Sequence, residues 1–78
     1  MSAKPMRGIV TYADYEDADV GRIGAMKAII TANGGVVTGE SGGEEDNEYT
    51  LIFRFAVLDE YNRIEALGAD EGWEVERR

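Results

Sequence analysis

The sequence predicts an α+β fold, an antiparallel sheet of three to four strands with two helices on one face. Three observations predict it. Residues 48–55 alternate strictly: Tyr49, Leu51, Phe53 and Phe55 fall on one side, and Glu48, Thr50, Ile52 and Arg54 on the other. That period of two marks a strand with one buried face. Two longer segments, 20–33 and 57–67, repeat apolar residues at spacings of three and four, the period of a helix with a buried stripe. Shorter β-branched or aromatic runs stand before, between and after these segments.

Residues 8–13, Gly-Ile-Val-Thr-Tyr-Ala, read as the first strand because β-branched and aromatic side chains suit a pleated surface. Residues 14–19 form an acidic turn, in which Asp17 or Asp19 caps the first helix by accepting from a free backbone N–H. The neighbouring carboxylates also suit the positive end of the helix dipole. The helix spans about Val20 to Asn33, with Val20, Ile23, Met26, Lys27 and Ile30 on its inner face. Gly34 and Gly35 end it, since glycine accepts the left-handed conformation past a helix terminus. Gly21 and Gly24 weaken its first turns, which predicts close packing against a strand there.

Val36 to Glu40 reads as a second strand, and Ser41 to Asn47 as a polar connector longer than a hairpin needs. The alternating strand 48–55 follows. The second helix runs from Val57 to Leu67, with Leu58, Tyr61, Ile64 and Leu67 on one face and Gly68 as its stop. Trp73 to Glu76 is a final short strand, or an irregular end to a three-stranded sheet. The order βαββαβ is that of a ferredoxin-like domain. Residues 1–78 are expected to form a single domain, with 1–7 and 77–78 as flexible ends.

Composition narrows the function. The chain has 16 acidic residues against 8 basic ones, a net charge of −8. Phosphate binding needs clustered Lys and Arg, and only Lys4 with Arg7 and Arg77 with Arg78 cluster, which argues against nucleic acid as a direct ligand. Anionic membrane surfaces are disfavoured for the same reason. No run approaches the ~18 apolar residues of a membrane span, and no apolar stretch follows the first bases as in a secretory signal. The absence of cysteine fits a reducing cytoplasm. A basic protein surface is the partner this charge favours, since complementary fields speed encounter.

No catalytic motif is present. Without His or Cys the chain lacks the commonest general base, the usual activator of a nucleophile and the best zinc ligands. The chain is therefore expected not to be an enzyme and to need neither a cofactor nor a metal. Calcium loops are not matched: counted from Asp17, position five is already Gly21, and counted from Asp14 it is Ala18. The segment Tyr49 to Phe55 resembles the base-stacking strand of RNA-recognition modules, but the leading base and glycine of that motif are missing.

Two acidic groups remain. Asp14, Glu16, Asp17 and Asp19 precede Arg22, the first base of the helix. Glu40, Glu44, Glu45, Asp46 and Glu48 lie in a stretch from Lys27 to Arg54 that holds no other Lys or Arg. Carboxylates offer acceptor-only oxygens to Arg forks, as phosphates do, so these nine residues are the candidate partner-binding set. Tyr12, Tyr15 and Trp73 are candidate aromatic anchors beside them.

A small, acidic, single domain carrying those carboxylates resembles the phage-encoded anti-CRISPR inhibitors over its whole length, in size and charge. The resemblance implies a nucleic-acid mimic, monomeric or weakly dimeric, that docks on a Cas effector complex and blocks DNA binding. Two other readings stand beside it. ACT-like regulatory domains share the topology and bind amino acids, and Gly21 and Gly24 at a helix start suit a bound carboxylate. An assembly protein would pair through a sheet edge.

Overall fold

Strand pairing carries the alternation of residues 48–55 through the whole sheet. The computed structural model describes residues 6–43 and 45–78. Its elements are β1 (Met6–Tyr12), α1 (Val20–Ala32), β2 (Val36–Gly43), β3 (Glu48–Phe55), α2 (Leu58–Asp70) and β4 (Glu74–Arg77). The sheet has four strands in the order β2-β3-β1-β4, with every neighbouring pair antiparallel. This is the ferredoxin-like arrangement, and the three-stranded alternative falls away. Met6 and Arg7, expected in a flexible end, pair with Phe55 and Arg54. Arg77 pairs with Gly8, and the Arg78 N–H donates to the Arg7 carbonyl.

Register fixes which side chains meet. Met6, Gly8, Val10 and Tyr12 face Phe55, Phe53, Leu51 and Tyr49 across β1 and β3, all on the helix-covered side. Met26 and Ile30 of α1 and Tyr61 and Ile64 of α2 complete the core over this face. Phe53, Phe55 and Tyr61 form an aromatic group with centroids 5.2–6.4 Å apart. The Phe53 ring lies over Gly8, where any Cβ would collide with it. Each such large side chain contributes roughly 1.5–3 kcal/mol by leaving water.

Several local expectations change. Val20 is 88% exposed, so α1 buries only Met26 and Ile30 fully, with Ile23 and Ile29 beside them. Nothing approaches Gly24, and only the Asp19 carboxylate lies near Gly21, so neither packs against a strand. Gly68 does not stop α2. It is buried inside the helix, where a Cβ would stand 3.0 Å from Val75 Cγ2 and 3.1 Å from Met26 Cε. Its missing side chain lets α2 approach β4, and Gly72, at φ 88°, follows the helix end instead. The connector shrinks too: Ser41, Gly42 and Gly43 pair with Thr50, Tyr49 and Glu48, so β2 runs three residues past Glu40.

Candidate functional site: an acidic rim at the loop end of the sheet

β1 and the hairpin of β2 and β3 end on the same side of the molecule, and a backbone bond ties their loops. The Tyr15 N–H donates to the Asn47 carbonyl at 3.1 Å. Asn47 holds the left-handed conformation, φ 52°, which its short polar side chain tolerates. The Tyr15 ring packs near Gly42, where a Cβ would come 3.2 Å from the ring and closer still to Tyr49. The bond therefore ties the loop that carries Asp14, Glu16, Asp17 and Asp19 to the hairpin turn that carries Glu45, Asp46 and Glu48.

Two of these carboxylates have local roles. Asp14 Oδ1 accepts the Glu16 N–H at 3.2 Å and shapes the turn. Asp19 caps α1, accepting the Arg22 N–H at 2.7 Å. Glu16, Asp17, Asp19, Glu45, Asp46 and Glu48 are exposed. Among the described residues none of them forms an ion pair. Ser41, Gly42, Gly43, Glu45, Asp46, Glu48 and Thr50 line an open depression of about 520 Å³ on the hairpin. Three carboxylates and two hydroxyls around such a space suit a cationic side chain. Glu44 lies outside the described residues.

Glu40 stands apart. Its carboxylate pairs with Lys27 Nζ of α1 at 2.9 Å and accepts a hydrogen bond from the Tyr49 hydroxyl. The Tyr49 bond, and then the lysine, hold its carboxyl below the ordinary range. Burial, and then the bond to Glu40, push the Tyr49 phenol up to about 12. The cause is a β-bulge between Val37 and Gly39. The extra residue reverses the alternation, so that Val37 and Glu40 face Phe53 and Leu51 on the same helix-covered side. Sequence periodicity contains no sign of it.

The aromatic anchors divide. Tyr15 remains partly exposed in the middle of the rim. Trp73 is 3% exposed and belongs to the core, tilted against Tyr12 at a centroid distance of 5.1 Å. Tyr12 is covered by the Arg22 guanidinium, 4.8 Å from its ring centroid. That guanidinium also donates to the carbonyls of Asp17, at 3.0 Å, and Glu71. Arg22 thus holds the acidic loop against the end of α2 through backbone oxygens, leaving the Asp17 carboxylate free. The start of α1, which the ACT-like reading needs for a ligand, already has Asp19 on it.

Among the described residues no helix is long and apolar enough to cross a membrane, and no group of three or more side chains is placed to hold a metal ion. The chain matches no family model, no curated protein and no solved structure.

Proposed function

We propose that the protein is a non-enzymatic inhibitor whose acidic rim docks on the basic surface of a nucleic-acid-binding protein and excludes DNA or RNA from it. The observation that supports this reading is the Tyr15–Asn47 bond, which ties the acidic loop after β1 to the acidic turn of the hairpin. Spaced, unpaired carboxylates meet Arg and Lys as a phosphate backbone does. The hairpin depression gives one arginine or lysine of the target a socket, and Tyr15 supplies an aromatic contact beside it. A Cas effector complex is the target class that the resemblance in size and charge implies. The cytoplasm, where such targets bind nucleic acid, is the proposed location.

The test is capture from nuclease-treated bacterial lysate with the tagged protein, eluted by a salt gradient. Recovery of a basic nucleic-acid-binding protein, released as salt screens the charges over ~8 Å, supports the reading. A variant carrying Glu16→Lys, Glu45→Lys and Asp46→Lys is expected to fold and to capture nothing. Equal capture by that variant removes the rim as the site.

A further inference from the structure

The uncovered face of the sheet gathers arginines that lie far apart in the sequence. Arg7 and Arg54 stand directly opposite each other on β1 and β3. Arg78, one position past the Gly8–Arg77 pair and bonded through its N–H to the Arg7 carbonyl, extends the row past the end of β4. Val36, opposite Arg54 and 53% exposed, closes the row on β2. Arg77 takes no part in it. That residue pairs with Gly8 on the helix-covered side, where its charge acts on Tyr61. The register thus makes three adjacent arginines of residues 7, 54 and 78.

All three are exposed, and among the described residues none forms an ion pair. The side-chain hydrogen bonds that arginines donate there belong to Arg22 and Arg63. Like charges directly opposite on neighbouring strands destabilise the pair. Strands lie ~4.8 Å apart, so the three side chains start from a line ~10 Å long. One phosphate group can bridge guanidiniums so spaced, since each arginine offers it a planar fork of donors. The next row, ~6.8 Å along the strands, holds Ile9 and Ile52 side by side and partly exposed, flanked by Gly39 and Glu76. Thr11 and Thr50 form the pair after it.

We infer that this row binds the phosphate of a small phosphomonoester of nucleoside-monophosphate size, whose planar body lies over Ile9 and Ile52. A phosphomonoester carries ~1.5–2 negative charges and three strong acceptor oxygens on one group, enough for three guanidiniums to share. A carboxylate offers them one charge and two oxygens. Bound phosphate also offsets the repulsion between Arg7 and Arg54. Charge decides against a longer polyanion. Glu76 and Glu74 border the same face, Glu48 stands beyond them on β3, and the chain has a net charge of −8. A nucleic-acid strand continues its phosphates towards these carboxylates, whereas a monoester places its charge on the arginines alone. The row stands at the opposite end of β1 and β3 from the acidic rim and does not depend on it.

Titration of the isotope-labelled chain with adenosine monophosphate, followed by NMR, tests it. The amides of Arg7, Ile9, Ile52, Arg54 and Arg78 are expected to shift together and to saturate, while those of Glu45 and Asp46 on the rim stay still. Arg7→Gln and Arg54→Gln are each expected to weaken binding about tenfold or more, the loss of a charge-assisted contact. Arg77→Gln, which removes the same charge from the other face, is expected to bind as wild type does. Both row variants are expected to melt at or above the wild-type temperature, because the Arg7–Arg54 repulsion is gone, which separates a lost site from a lost fold. Inorganic phosphate alone and adenosine alone are each expected to bind more weakly than the nucleotide. Inorganic phosphate bound as tightly overturns the place given to Ile9 and Ile52, and adenosine bound as tightly overturns the phosphate site. The inference also fails if no saturable shift appears at the solubility limit of the nucleotide, or if Arg77→Gln loses as much as the row variants. A single-stranded oligonucleotide bound more tightly than the monophosphate overturns it as well.

Discussion

Tyr15 donates its backbone N–H to the Asn47 carbonyl, and this single bond couples the loop after β1 to the β2–β3 hairpin. Asn47 presents that carbonyl from the left-handed region, φ 52°. The shape of the acidic rim therefore depends on one backbone conformation. Asn47→Gly is expected to leave stability nearly unchanged. Asn47→Val is expected to cost roughly 1–2 kcal/mol, since a β-branched residue resists that conformation. Urea unfolding of the two variants checks it, and equal stability would show that the hairpin does not need the strained turn.

Phe53 is fully buried between Gly8 and the Phe55–Tyr61 pair. Truncation leaves a cavity that this small core cannot refill. Phe53→Ala is expected to cost about 3–5 kcal/mol, a large part of the stability of a domain of this size. A cooperative melt near the wild-type temperature would refute that account of the core.

Gly24 is exposed within α1, and no atom lies within 4 Å of where its Cβ would stand. Gly24→Ala is expected to stabilise the protein by about 0.5–1 kcal/mol by lowering the backbone freedom lost on folding. Gly8→Ala is expected to destabilise it, since the Phe53 ring occupies the space a methyl needs. Thermal melts of the two variants should move in opposite directions. A Gly24→Ala variant less stable than wild type would point to a use for that glycine beyond the helix.

The Lys27–Glu40–Tyr49 group gives stability a pH dependence at both ends. The carboxyl of Glu40 is lowered in the fold, by the Tyr49 hydroxyl and then by Lys27. Its contribution is present above the unfolded value of 4.5 and is lost as pH falls through the lower folded value. The Tyr49 phenol is raised from 10.0 to about 12, so its contribution is full below 10.0 and is lost as pH rises through about 12. Glu40→Gln is expected to flatten part of the acid limb of unfolding free energy against pH, Glu60, lowered by the Ala56 and then the Val57 N–H, keeping its own share. Tyr49→Phe is expected to flatten part of the alkaline limb, the remainder coming from Tyr61, which burial and then the Glu65 bond also raise to about 12. Unchanged limbs in both variants would show that the group does not couple to folding.

Local periodicity was enough to place both helices and β3 and to assign the buried face of β3, because the direction of a side chain repeats every two residues in a strand and every 3.6 in a helix. The Asp19 cap was legible for the same reason, being a contact between neighbours in the chain. So was the grouping of acids into two clusters. What the sequence did not contain was which distant segments meet. The bulge at Val37–Gly39 turned Glu40 onto the helix side and gave it to Lys27, and the Tyr15–Asn47 bond tied the two acidic loops together. Trp73 went to the core rather than the rim, and Gly68 lay inside a helix where close approach needs it. The pairing of Arg7 with Arg54 is the clearest case. Alternation alone put Arg54 on the open side of its strand. Only the register, chosen by the fit of Val10, Leu51 and Phe53 beneath the helices, set a second arginine beside it.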